Sequence, residues 1–526
     1  MTDEIIFRRD MEIGNLSAEA DQDFLDNCFI ETAEYNEIKN YENRKMIILG
    51  RTGAGKTALL NKAKEEADVV VDIKPNVFVL QYIDNVPFIR QLKEEKINLE
   101  VFYKFLWLHE ILSSIVKNYF KYYNKNYLME LCKFGSDSER IKQLKNYVKQ
   151  YDDVFFAEGT KEKITDQLES KLEAEMGFKN FAKIASTLSE SQKKEIQSKT
   201  SQYVSKTQIN QLKNLISILK DYFENNKQKK ILVTIDNLDE NWTDEESKYK
   251  LINSLLDTIR FFIGIPSLKI LIAMRNDLLS KTVEVSNRQN EKDESYTIKL
   301  NWSPTTLTNL IDKRLQYMFE FKYKKNSKIS FKHIFDCFIS ETEGYNYILE
   351  RTMMRPRDVI SFVNQCIKQA DGRTSITPLD IINAEKLYCD ERLTALKHEW
   401  HTLYPNVECY IKAIRSLGNR FNYFNIKDNY QTVLDSLLNS AIENQDDPIV
   451  VSFLECNIDN DNCVNVNIKT LVNTLFTIGV VGIEFPDGTT LYSNADKPKL
   501  SQLDFDDDIY FVIHPLFAKR KRSIAI

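Results

Sequence analysis

The chain has 526 residues, of which 14 are Gly and 11 are Pro, against roughly 37 and 26 at average usage. Turn-punctuating residues this scarce predict long helices and exclude a turn-rich sandwich or barrel and a Pro/Gly low-complexity chain. The net charge of −6 supplies no global basic field to force nucleic-acid binding.

Residues 1–45 are polar with scattered aromatics and read as an N-terminal arm, with a short helical section around Ile13, Leu16, Phe24, Leu25 and Phe29. The apolar run Lys45–Leu49 predicts a buried strand. Gly50–Thr57 follows, then a helix over Ala58–Ala67 and strands at Val69–Val71 and Val77–Ile83. From about 95 to 225 the pattern is helical, with Phe102, Phe105, Leu106, Ile111, Leu112 and Ile115 at helical spacing. Residues 157–207 are rich in Lys, Glu, Ser and Gln and read as an exposed helical insertion. Lys230–Asp236 is an apolar strand ending in an acid, and Leu268–Met274 is another, ending at Arg275. Strands alternating with helices predict a parallel sheet covered on both faces. Residues 301–400 read as helical throughout. Beyond 401, helices mix with strands at Gly479–Glu484, Thr489–Tyr492 and Ile509–Ile513, and Pro486–Gly488 is a hairpin-turn signal.

The eight cysteines contain no C-x-x-C pair, which argues against a zinc ribbon, and so few in so long a chain argue against a secreted disulfide framework. The start MTDEIIFRRD lacks the apolar core of a signal peptide, and the best apolar stretch, Phe105–Ile115, is broken by His109 and Glu110. A reduced, cytoplasmic protein with no membrane partner is expected. His398 and His401 stand three apart with Cys409 beyond, but no further ligand pair supports a metal site there.

The chemistry is concentrated in Gly50, Arg51, Thr52, Gly53, Ala54, Gly55, Lys56 and Thr57, which fit G-x-x-x-x-G-K-[ST] in full. Glycines let such a loop curl so that successive backbone N–H groups face phosphate oxygens, and the following helix N-terminus favours anions. Lys56 is expected to bridge the terminal phosphates and the Thr57 hydroxyl to hold Mg²⁺. Asp236, closing an apolar strand, fits the partner acid for Mg²⁺. Asn237 follows it, so the water-orienting base falls to Asp239 or Glu240. No N-K-x-D sequence reads guanine, because Asn425-Ile-Lys-Asp428 has the wrong order. Leu188-Ser-Glu-Ser-Gln192 lacks both glycines of an ABC signature. ATP is favoured by elimination.

These residues resemble a prokaryotic P-loop ATPase of the AAA+/STAND kind, similar to KAP-like and origin-recognition-type ATPases. The resemblance spans about residues 46–370. It is carried by Gly50–Thr57, Asp236-Asn-Leu-Asp-Glu240, Met274-Arg-Asn-Asp277, Leu300-Asn-Trp302 leading to Arg314, and Met354-Arg-Pro-Arg-Asp358. It implies an α/β fold: a P-loop NTPase parallel sheet with helical insertions, then a helical lid and an α+β, winged-helix-like C-terminal domain. The implied domains are the arm 1–45, an ATPase domain 46–300 with its insertion at about 95–225, a lid 301–400 and a C-terminal domain 401–526. The resemblance makes Arg275 a sensor 1 residue and Arg355 and Arg357 a sensor 2 region; the alternative it leaves is Arg314 or Arg351 acting across a subunit boundary. A catalytic Glu stands directly after the strand acid in many relatives, and Asn237 replaces it here.

The expected function is an ATP/ADP switch that hydrolyses ATP, forms a homo-oligomer and engages a separate effector protein, as STAND-like proteins do in anti-phage defence. DNA is the alternative partner, since the helix-then-hairpin pattern at 467–495 resembles a winged helix. The wing Glu484–Thr489 is not basic, although the tail Lys519–Arg522 is. A non-hydrolysing, ATP-bound scaffold is the remaining reading.

Overall fold

The computed structural model describes residues 5–79, 92–94, 97–122, 139–148, 189–225, 229–240, 243–289, 291–323, 329–439, 444–457, 460–506 and 508–518. The chain forms two compact units. One holds Glu31–Leu49 and Lys56–Ile298; the other holds Met1–Ile30, Gly50–Gly55 and Lys299–Ile526.

The first unit is built on β1 (Ile47–Leu49), β2 (Val69–Ile73), β3 (Ile231–Ile235), β4 (Leu268–Met274) and β5 (Thr297–Lys299), in the order β2-β3-β4-β1-β5. The pairs β2–β3, β3–β4 and β4–β1 run parallel, with Ile231 opposite Leu268 and Leu49 opposite Met274. Every residue of β1, β3 and β4 is buried, so these strands read as continuous apolar runs. At the sheet edge, β2 alternates buried Val69, Val71 and Ile73 with exposed residues. From β1 the chain crosses β4 and β3 to reach β2, whereas from β4 it crosses β1 to reach β5. Connections therefore leave β1 and β4 in opposite directions. Their carboxyl ends form the switch point where open α/β sheets bind ligands.

Helices α1 (Lys56–Glu65), α2 (Glu100–Tyr122), α3 (Asn210–Asn225), α4 (Glu245–Thr258) and α5 (Asn276–Ser286) belong to this unit. Trp107 of α2 is fully buried and its indole N–H donates to the Leu251 carbonyl of α4 at 3.0 Å. Leu212, Leu215, Ile216, Leu219 and Phe223 form the buried stripe of α3 at helical spacing. The expected strand Val77–Ile83 is corrected at its start. Pro75, with its fixed φ, opens a short helix Pro75–Val79, and residues 80–91 lie outside the described residues. Of the expected insertion 157–207, Glu190–Tyr203 is helical and continues as a wider turn over Val204–Ile209; residues 157–188 lie outside the described set.

The second unit contains α6 (Pro304–Tyr323), α7 (Pro356–Gln369), α8 (Pro378–Trp400), α9 (Val407–Arg415) and α10 (Asp461–Ile478). Its antiparallel sheet has the order β8-β7-β9-β6, with β6 (Arg420–Asn422), β7 (Val481–Glu484), β8 (Thr490–Tyr492) and β9 (Tyr510–Ile513). The Pro486–Gly488 turn joins β7 to β8, and the Phe485 N–H donates to the Thr489 carbonyl at 2.8 Å. One apolar core joins Phe7, Met11 and Ile13 to residues from Leu307 of α6 to Phe517. The first residues of the chain pack with the helices: the Ile13 N–H donates to Asn364 at 2.8 Å, and Arg314 pairs with Asp21 at 2.6 Å. The arm therefore divides, with residues up to Ile30 in this unit and those from Glu31 in the other. Cys456 and Cys463 form a disulfide, which an all-thiol reading of the eight cysteines does not anticipate.

Two buried histidines set an acid limit. Burial, with Lys117 nearby, pushes His109 of α2 down to about 3, and burial with Arg51 does the same to His514. Both lie below the ordinary value of 6.5. Between those values the unfolded chain binds more protons than the folded one, so stability is lost as pH falls through that window. The expected slope is about 1.4 kcal/mol per pH unit for each histidine. A melting-temperature series on the acid side of neutrality checks this, and His109→Gln should flatten it.

Candidate phosphate site

Between β1 and α1 the chain makes the tight loop Gly50–Gly55. Gly53 and Gly55 adopt φ of +77° and +93°, a region that side chains disfavour. A Cβ on Gly53 would also lie 3.0 Å from the Arg357 Cβ. The Ala54 N–H turns back to the Arg51 carbonyl at 3.1 Å. The Thr52 hydroxyl oxygen is buried and has no hydrogen-bond partner among the described residues. A polar group or water bound in the loop would satisfy it. Lys56 and Thr57 begin α1, whose first-turn N–H groups have no intrahelical acceptor.

Within the sheet unit, the Thr57 hydroxyl donates to the Asp236 Oδ2 at 2.9 Å, although 179 residues separate them. The Asn237 N–H donates to the other carboxylate oxygen at 2.8 Å. Burial pushes the Asp236 carboxyl above its ordinary range, and these hydrogen bonds and the nearby Lys56 only partly offset this. A desolvated carboxylate beside a hydroxyl is a hard-oxygen donor pair, which fits Mg²⁺. Asn237 sits at φ +61°, which asparagine tolerates better than most residues. Leu238 is fully buried and anchors the turn, leaving Asp239 and Glu240 both exposed. The geometry does not choose between these two carboxylates.

Arg275 stands at the end of β4, 8% exposed, and makes a two-pronged contact with Asp277 in the first turn of α5, both bonds 2.9 Å. That pair fixes the guanidinium at the carboxyl edge of the sheet.

In the second unit, the loop is held by residues from distant parts of the chain. Arg355, directly before α7, is 2% exposed; its Nη1 donates to the Thr52 carbonyl at 2.8 Å and its Nε to Asp358 at 2.7 Å. Arg392 of α8 pairs with Asp358 at 3.2 Å and with Glu399 at 3.1 Å. Arg357 packs its aliphatic stem on Gly53 while its Nε donates to the Leu16 carbonyl at 2.9 Å. The two arginines therefore have different tasks: Arg355 is locked in a buried ion-pair group and grips the loop backbone, whereas Arg357 covers the loop. Trp302 adds a third grip, its indole N–H donating to the Ala54 carbonyl at 2.9 Å.

Arg51 is the residue that motif reasoning undervalued. Its position tolerates any side chain, yet here it is half-buried and its Nη2 donates to the Ile478 carbonyl at 2.6 Å, 427 residues away. Burial and the neighbouring Arg355 push it down to about 9, so it stays charged at neutral pH. No local signal marks that partner. Of the two arginines expected at a subunit boundary, Arg314 is 3% exposed against Asp21, and half-buried Arg351 pairs with Glu385 at 3.1 Å over the Tyr347 ring. His398 and His401 are exposed while Cys409 is buried in α9. The tail Lys519–Arg522 lies outside the described residues.

Comparison with known proteins finds likeness in part of the chain. The FunZ-associated C-terminal helical domain matches residues 305–397, the stretch that carries Arg355, Arg357 and Asp358. Over 519 residues, 96% of the chain, the protein is 21% identical to the "Putative transposon gamma-delta 80.3 kDa protein" of Escherichia coli strain K12, and it spans 66% of that relative's length. Over 164 residues, 31% of the chain, it is 24% identical to "Allergen Alt a 2" of Alternaria alternata, covering 83% of that protein. The family match lies in the helical region; the phosphate-binding reading rests on the residues at 50–57 and 236.

Proposed function

We propose that this chain is a P-loop ATPase of the AAA+/STAND type. It binds ATP with Mg²⁺ at Gly50–Thr57 and uses the nucleotide as a switch. The switch governs homo-oligomer assembly or engagement of a separate effector protein, and its setting is cytoplasmic anti-phage defence. The observation that carries the reading is the Thr57–Asp236 contact at 2.9 Å, at the end of a loop whose Gly53 and Gly55 take left-handed conformations.

Each residue's part follows from its chemistry. The glycine loop presents backbone N–H groups to phosphate, and the Lys56 ammonium neutralises the terminal phosphates. Thr57 and Asp236 hold Mg²⁺, which supplies charge neutralisation on the phosphate oxygens. Asp239 or Glu240 orients the attacking water and accepts its proton. Arg355 steadies the loop through the Thr52 carbonyl.

Asp236→Asn tests hydrolysis and assembly together. It should retain ATP while phosphate release falls by roughly 100-fold, about 2.7 kcal/mol of barrier. Its melting temperature without nucleotide should rise at neutral pH. A raised folded-state pKa contributes stability only on the acid side, and that contribution is gone once the buried carboxylate ionises. Size analysis should show assembly for Asp236→Asn with ATP and for the wild type with ATP more than with ADP. A monomer in all three samples contradicts the assembly part.

A DNA transaction is the second reading, favoured by the printed name of the transposon relative and by the α10–β7–β8 helix-hairpin succession. Arg420 of β6 pairs with Glu484 of β7 at 2.6 Å, which neutralises charge that phosphate contacts need. Salt-dependent binding to duplex DNA, lost in Arg420→Ala, would move the assignment to this reading.

A further inference from the structure

We infer that Arg51 is the residue through which the nucleotide state of the loop is passed to the C-terminal sheet and helix, by plugging the carboxyl end of α10. The inference rests on the nucleotide reading above and adds a partner and a direction to it.

The geometry is specific. Helix α10 ends at Gly479, which adopts φ +84° and closes the last turn through its N–H to the Phe476 carbonyl at 2.8 Å. The Arg51 guanidinium enters this end. It donates to the Ile478 carbonyl at 2.6 Å and to the Ser493 carbonyl, just beyond β8, at 3.4 Å. A cation at a helix C-terminus satisfies carbonyls that the helix leaves open and opposes the negative end of its dipole. Gly479 makes the room: a Cβ there would lie 2.5 Å from Arg51 Nη1 and 2.6 Å from Met353 Cε. Gly479 is therefore required twice, for its backbone conformation and for the guanidinium.

The charges give the coupling its sign. Half-buried Arg51 stands with buried Arg355 and Arg392 in a group whose acids are Asp358 and Glu399, and half-buried Arg357 adds a fourth positive charge to it. Successive loop residues are gripped from two sides, Arg51 by the end of α10 and Thr52 by Arg355. An anion in the loop offsets the excess positive charge, so phosphate tightens the plug and its departure loosens it.

Amide hydrogen exchange on the full-length protein tests this, with Mg²⁺ present and with or without saturating ATP. In the wild type, ATP should slow exchange across 50–57 and also across 475–480, by about tenfold each. In Gly479→Ala the response at 475–480 should vanish while slowing at 50–57 persists. Arg51→Gln serves as the second variant, read at ATP concentrations that saturate its own 50–57 response, and should also lose the 475–480 response. An unchanged 475–480 response in both variants overturns the coupling while leaving nucleotide binding intact. No ATP response at 50–57 in the wild type overturns the binding reading and the coupling with it.

Discussion

Replacing Asp358 by alanine should lower the unfolding free energy by about 3–5 kcal/mol, the cost typical of stripping one partner from a buried ion group. Asp358 is 1% exposed and accepts from Arg355 at 2.7 Å and from Arg392 at 3.2 Å. Burial alone would push its carboxyl up, but Arg355 and Arg392 outweigh that and hold it below the ordinary carboxylate range. Without it, buried Arg355 and Arg392 are left sharing Glu399. The loss should reach the loop as well, because Arg355 then has no Asp358 to hold it against the Thr52 carbonyl. Urea unfolding of wild type, Asp358→Ala and Asp358→Asn checks the ordering, with the asparagine intermediate because it keeps a hydrogen-bond acceptor. A change below about 1 kcal/mol would mean that the group is solvated and does not organise the second unit.

Lys56→Ala should weaken ATP binding by roughly 100-fold, about 2.7 kcal/mol. An ammonium facing phosphate makes charge-assisted hydrogen bonds worth more than neutral ones, and alanine removes them. The fold should hold, since alanine has the highest helix propensity and position 56 is only half-buried at the start of α1. Calorimetric titration with ATP and with ADP reads the effect. A loss smaller than threefold for both would show that Lys56 does not contact phosphate.

How far the sequence reveals the molecule depends on whether a feature is local. The strands β1, β3 and β4 are legible because burial on both faces demands uninterrupted apolar runs, and those runs stand out in a glycine-poor chain. The loop is legible because its conformation needs glycine at fixed positions, and Gly53 and Gly55 take the left-handed values that make glycine necessary. Asp236 is legible as an acid closing such a strand, and the sheet places it against Thr57. Val77–Ile83 misleads at its start because β-branched residues suggest a strand, while Pro75 opens a short helix that takes in Val77–Val79. The packing of the first thirty residues has no period to read; it depends on Asp21 meeting Arg314, 293 positions away. Arg51 is the clearest case. A motif describes which residues a loop requires, and says nothing of where a permitted side chain goes.

The central claim is that Gly50–Thr57, with Asp236, holds a nucleoside triphosphate. Equilibrium dialysis of the full-length protein against labelled ATP with Mg²⁺ tests it most directly, with Lys56→Ala alongside. The account predicts saturable binding of one ATP per chain, displaced by ADP but not by inorganic sulfate, and lost from Lys56→Ala over the same concentration range. No saturable uptake at millimolar ATP, or equal uptake by wild type and Lys56→Ala, would contradict it.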